Sequence, residues 1–165
     1  MLTILAIAQT VVLGHRTSRP ETLTPAVAIG DDLSSLVIKD SGGETVELGG
    51  GYKTLVLVFD PDCPHTTRVA ADWASWLDEQ KSEGHRTIAV SLGAPATVAR
   101  CVRDKRWNVR VGTVEPAAEG KGEHALMQRS PWVFVVGGDG VVVAEGHGIR
   151  LAEVAHTIRV AGGAG

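Results

Sequence analysis

Residues 54–59 (TLVLVF) constrain this chain most. The run is almost unbroken in its apolar character and shows no alternation with polar residues, so both of its faces must be covered. That is the signature of a central strand in a parallel or mixed sheet. Asp60-Pro61-Asp62 ends the run. A helix is expected from Cys63-Pro64 to about Glu83, because Val69, Trp73, Trp76 and Leu77 recur at helical spacing while Arg68, Asp72, Asp78 and Glu79 fall elsewhere. Gly84 is its stop.

The rest of the chain repeats this alternation. Residues 33–39 and 45–48 flank Asp40-Ser41-Gly42-Gly43, which reads as an amino-terminal hairpin. Residues 87–92 (TIAVSL) form the next buried strand, and Pro95 opens a second helix to about Lys105. Residues 109–114 read as a short strand and 115–126 as irregular. Residues 132–136 and 141–144 are two strands joined by Gly137-Gly138-Asp139-Gly140, and Leu151, Val154, Ala155 and Ile158 mark a closing helix. Helices and strands in this order predict an α/β fold, a mixed sheet flanked by helices.

Composition narrows the function classes. At 165 residues, with 44% hydrophobic and 21% charged residues, the chain is one domain with a real core. A net charge of -3, from 16 basic and 19 acidic residues without like-charge blocks, excludes nucleic-acid binding by phosphate neutralisation. Two cysteines are too few for a disulfide scaffold or a four-cysteine zinc site. The 6 histidines lack the spacing of a helical metal site, so no metal or organic cofactor is expected.

Residues 1–14 (MLTILAIAQTVVLG) are uncharged and mostly apolar. They are shorter than the roughly 20 residues of a bilayer helix and lack the basic start of a signal peptide. The expected reading is a membrane anchor. An apolar helix or strand docked on the domain, and a cleaved signal, are the other two. Arg16 and Arg19 follow the run, and the positive-inside rule taken literally leaves the domain in the cytoplasm. Residues 15–31 read as a linker, 32–161 as the domain and 162–165 as a Gly/Ala tail.

Phe59-Asp60-Pro61-Asp62-Cys63-Pro64-His65-Thr66 places a thiol where a buried strand ends and a helix begins. That carboxyl edge is where α/β sheets bind ligands. The free N–H groups and positive dipole end of a helix stabilise a thiolate there. A protonated His65 adds to the effect and Asp62 opposes it. Thr66 can donate a hydrogen bond to the sulfur, and Pro64 suits the first helical turn. Each residue also has a plainer reading: an idle cysteine, an ordinary first-turn threonine, an exposed histidine without a role. Asp60 and Asp62 read as a cap and a solvated loop acid. Cys101, beside Val102 on the second helix, reads as a buried structural cysteine, with a resolving thiol as the alternative. Trp73 and Trp76 are assigned to the core; Trp107 and Trp132 stay open, Trp132 either lining the site or not. His15, His85, His124, His147 and His156 read as surface or satisfied residues unless the fold brings two together, and Glu123 and His124 receive no role.

The pattern VFDPDCPHT, then a helix, TIAVSL, SPWVFVV and a G-D-G hairpin, resembles the TlpA/ResA-like thioredoxin-fold proteins. The MauD-like branch of methylamine utilisation is the nearest, and Gln9, Leu13-Gly14-His15-Arg16 and Pro20 are similar to it too. The likeness runs from about residue 9 to 148. It implies a thioredoxin-like sandwich with an amino-terminal hairpin and an apolar N-terminal segment. It further implies a cell-envelope protein held at the cell membrane, with its domain on the extracytoplasmic side. The implied activity is thiol–disulfide exchange with a protein disulfide or small-molecule thiol substrate. Cys63 matches the nucleophilic cysteine, and Pro131 matches the cis-proline that binds extended substrate backbone beside the site.

The departure falls at Thr66, which stands where the family's C-x-x-C motif has its second cysteine. Without that thiol a dithiol cycle cannot close, so a mixed disulfide on Cys63 must be resolved by an outside thiol or by Cys101. The expected function is therefore a single-cysteine (monothiol) oxidoreductase. A degenerate docking or maturation factor without turnover competes with it. A thiol peroxidase forming a sulfenic acid at Cys63 is a third reading, since a threonine three residues after the cysteine is similar to the glutathione-peroxidase motif.

Overall fold

The computed structural model describes residues 26–91, 93–114, 126 and 129–162, with side chains to 157. The segment 1–14, most of the expected linker, residues 115–125 with Glu123 and His124, and the end of the tail lie outside the described residues.

The elements are β1 (Ile38–Asp40), β2 (Thr45–Val46), β3 (Thr54–Val58), α1 (Pro64–Ser82), β4 (Arg86–Val90), α2 (Pro95–Asp104), β5 (Arg110–Val114), β6 (Trp132–Val136), β7 (Val142–His147) and α3 (Leu151–Gly162), the last entered through a 3-10 turn at Gly148–Arg150. The seven strands lie in the order β2-β1-β5-β4-β3-β6-β7. The central β3, β4 and β5 are parallel; β1 and β6 pair antiparallel with β5 and β3, and β2 and β7 pair antiparallel with β1 and β6 in turn. All five residues of β3 are buried, as expected for a strand covered on both faces.

Burial on two faces follows from the connections. The crossovers from β3 to β4 and from β4 to β5 advance the same way, so right-handedness puts α1 and α2 on one face. There Leu55, Leu57 and Phe59 meet Val69, Trp73 and Leu77 of α1, Val98 of α2, and Leu151 and Val154 of α3. Alternation along β3 sends Val56 and Val58 to the other face, against Val27, Leu33, Leu36 and Leu126. Val27 is thus already part of the core, and the Gly30 N–H donates to the Val142 carbonyl at 2.8 Å, both within the stretch read from sequence as linker.

Helix ends follow local chemistry. At the close of α1 the His85 N–H bonds to Gln80 O at 3.0 Å and the Gly84 N–H to Lys81 O at 3.1 Å, a Schellman motif around Gly84 at φ +77°. The same pair of bonds closes α2, from Trp107 to Val102 and from Arg106 to Arg103, but there the left-handed position holds Arg106 at φ +56°.

At the sheet end opposite Cys63, two glycine loops meet backbone to backbone. The Gly51 N–H donates to Gly138 O at 2.9 Å, and a Cβ on Gly138 would stand 2.9 Å from the Gly51 carbonyl carbon. Among the described residues, no helix is long and apolar enough to cross a membrane.

Candidate functional site

Cys63 is the residue that caps the amino terminus of α1. The chain leaves β3 through Phe59 and turns at once: the Asp62 N–H donates to Asp60 Oδ1 at 2.9 Å, and the Cys63 N–H donates to Asp60 O at 3.1 Å. Cys63 is extended, with φ -76° and ψ 125°, and Pro64 occupies the first helical turn. Its side chain makes no capping hydrogen bond, and no acid stands in that turn. The first-turn amides of a helix have no intrahelical acceptors; Pro64 supplies none, and Cys63, at the start of that turn, is half exposed. His65 and Pro64 are exposed.

Pro131 lies at the same edge of the sheet. Val58 pairs with Trp132, so the residue before β6 faces the turn that leads from β3 to Cys63. The Ser130–Pro131 peptide bond is cis, the isomer that the resemblance implies. Around it lies a group of side chains that sequence reading did not assemble. Trp132 Nε1 donates to Glu145 Oε2 at 3.0 Å, Arg129 Nη1 binds the same oxygen at 2.7 Å, and the Arg129 guanidinium lies 5.0 Å from the Trp132 ring. Trp132 meets His147 edge to face at 5.4 Å. His147 Nδ1 accepts the Ile149 N–H at 3.1 Å, which caps the 3-10 turn. Burial pushes the His147 pKa down, and the charges of His65 and Arg150 push it further.

Thr66 departs from expectation. It is fully buried, and its hydroxyl has no hydrogen-bond partner among the described residues, so the expected bond to the Cys63 sulfur is not made. The reason is its place on α1: Thr66 starts the buried stripe that continues through Val69, Trp73, Trp76 and Gln80, whereas Cys63 stays half exposed. The Ser130 hydroxyl, next to Pro131, is also buried without a partner. Cys101 is half buried rather than fully buried, packed against the α1-side core. Trp107 belongs to that core, its Nε1 donating to Ala70 O at 2.9 Å. Among the described residues, no three side chains are grouped to hold a metal ion.

No family model and no curated protein matches the sequence. Solved structures do match the fold. The thioredoxin domain of a thiol-disulfide oxidoreductase from Bacteroides vulgatus superposes with a TM-score of 0.65 at 16% identity, over 81% of this chain and 99% of that one. A thiol:disulfide interchange protein from Bacteroides sp. gives 0.64 at 16% identity, over 79% and 89%. An uncharacterized thioredoxin-like protein from Porphyromonas gingivalis gives 0.55 at 25% identity, over 76% and 88%. With the seven-stranded mixed sheet and its flanking helices, these likenesses establish that the chain has a thioredoxin-like fold.

Proposed function

We propose that this chain is a membrane-anchored protein of thiol–disulfide exchange that works through a single cysteine, Cys63. One observation carries the reading: a half-exposed cysteine caps a long helix at the sheet edge that also holds Pro131. In the proposed step the Cys63 thiolate attacks one sulfur of a substrate disulfide. The Cys63–substrate S–S bond forms, the original S–S bond breaks, and the other substrate half leaves as a thiolate. An external thiolate then attacks the mixed disulfide, taking the substrate sulfur and returning Cys63 to its thiolate. Pro131 holds the extended substrate backbone, and Pro64 and His65 shape the helix start. The substrate is a protein disulfide or a small-molecule thiol adduct. Segment 1–14 is the anchor, and the domain works on the extracytoplasmic side.

The docking reading is favoured by one feature, the presence of Thr66 where a second cysteine would resolve the mixed disulfide. The two are separated by turnover. Reduced protein carrying Cys101→Ala is mixed with a peptide disulfide and then with excess small thiol, and intact mass is followed with time. Exchange predicts a single adduct on Cys63, its release by the thiol and repeated cycles, all lost in Cys63→Ser. An adduct that forms slowly and is never turned over supports docking. A third arm, hydrogen peroxide in place of the disulfide, gives a rapid oxygen adduct on Cys63 only if the peroxidase chemistry operates.

A further inference from the structure

We infer that Trp73 is a positioning residue of the Cys63 site, tying the helix that carries the thiol to the Pro131 loop through the backbone of Gly148; the inference rests on the exchange reading above. Trp73 lies in the middle of α1, fully buried. Its indole Nε1 donates to Gly148 O at 2.9 Å, and the Gly148 N–H donates to Pro131 O at 3.0 Å. One residue thus accepts from α1 and donates to Pro131. Both Trp73 and Pro131 also crowd Gly148. A Cβ on Gly148 would stand 2.5 Å from Trp73 Cζ2 and 3.1 Å from Pro131 Cβ, so only glycine fits between the ring and the proline.

Both ends of this connection are fixed. The Trp73 ring packs at 5.2 Å on Trp107, which is itself bonded to Ala70 of α1. Gly148 follows His147, whose ring caps the next turn and leans on Trp132. A displacement of α1 relative to the sheet must therefore move Gly148, and with it the Pro131 carbonyl. A substrate strand lying along Pro131 while its sulfur is bonded to Cys63 needs both points at one spacing. A small alkylating reagent needs only the sulfur. Trp73 accordingly governs exchange with extended peptide disulfides and leaves the thiol's own reactivity alone. A tryptophan that merely fills the core would do neither selectively.

The test compares the Cys101→Ala chain with and without Trp73→Phe, which keeps most of the ring and removes the N–H. Alkylation of Cys63 by iodoacetamide is expected to stay the same. Exchange with a peptide disulfide is expected to fall by about 10- to 100-fold, the cost of a small misplacement of reacting groups. The loss should appear in the half-saturating peptide concentration. Equal rates in both assays, or a parallel fall in both, overturns the positioning role alone. If the chain that retains Trp73 forms no peptide mixed disulfide, the exchange reading fails and the positioning role fails with it.

A measurement on the unsubstituted chain guards against a variant that does not fold. The Trp73 indole proton and the Gly148 amide proton should exchange more slowly with solvent once a peptide mixed disulfide forms on Cys63, and should not respond to iodoacetamide capping. No change on mixed-disulfide formation, or the same change with both, overturns the proposal.

Discussion

The two cysteines flank the same short loop, residues 60–62, yet the fold treats them oppositely. Cys63 is the capping residue of α1, at first-turn amides that lack intrahelical acceptors, with no acid in that turn. Cys101 lies on the side of α2, where its carbonyl and amide serve the helix. It lines a groove of roughly 230 Å³ with Pro61, Asp62, Thr97, Arg100, Asp104 and Lys105. Burial pushes the Cys101 thiol pKa up, Asp104, Asp62 and Asp60 push it further, and the Lys105 ammonium offsets part of the rise. Both residues are half exposed, so exposure does not separate them. The difference lies in the backbone: a helix terminus offers donors to a developing anion, and a helix flank does not.

The largest expected effect comes from giving Cys63 the neighbour it lacks. Thr66→Cys restores a second thiol at the buried end of the motif. The mixed disulfide should then cease to accumulate, because the new thiol attacks it and leaves an intramolecular disulfide. Intact mass after acid quenching reads the result. A mixed disulfide as long-lived as in the unsubstituted chain would show that position 66 cannot reach the sulfur, and that the proposed single-cysteine behaviour follows from geometry rather than from residue type.

A smaller effect sharpens the contrast from the other side. Burial and three carboxylates all disfavour the charged form of Cys101, so at neutral pH it is held as the thiol. Its labelling in Cys63→Ser should therefore keep accelerating into the alkaline range. Lys105→Ala should slow it further, because the one group that favours the thiolate is gone. Faster labelling on loss of Lys105 would break the assignment. The smallest effect concerns the helix that carries Cys101. Arg106→Gly relieves a left-handed residue whose cost is about 1–2 kcal/mol. Part of the gain is returned to chain entropy, and Tm should rise by about 2–4 °C. An unchanged or lower Tm would mean that the Arg106 side chain makes up for its backbone.

Much of this architecture was legible because its signals are local. The apolar run of β3, the stripe on α1 and the stop at Gly84 are each written within a few residues, and the structure places them within a residue or two. The surroundings of Pro131 were not legible, for a definite reason. Between Val135 and Val136 the pairing of β6 with β7 shifts by one residue, so that Trp132 meets His147 rather than Gly146. One residue of shift decides which side chain faces which, and no pattern in the hairpin marks the bulge. The Thr66 hydroxyl was misread for a related reason: its neighbours are chosen by how α1 rolls onto the sheet. Gly148 reads as one more glycine until Trp73, 75 residues earlier, is seen beside it.

The facing glycine loops at the far end of the sheet bear on how the protein can be handled. A hairpin tip such as 137–140 is ordinarily the first place to insert a tag or a fluorophore-binding loop. Here the tip is clasped by Gly51 on one side. On the other, a Cβ on Gly140 would stand 2.7 Å from the Ser34 Cβ, and the next residue, Val141, bridges to Asp32. An insertion there would pry the chain's own entry segment off the sheet. A permissive attachment point has to be sought elsewhere, and the exposed turn at Ser41-Gly42, where a Cβ on Gly43 would meet nothing, is the better handle.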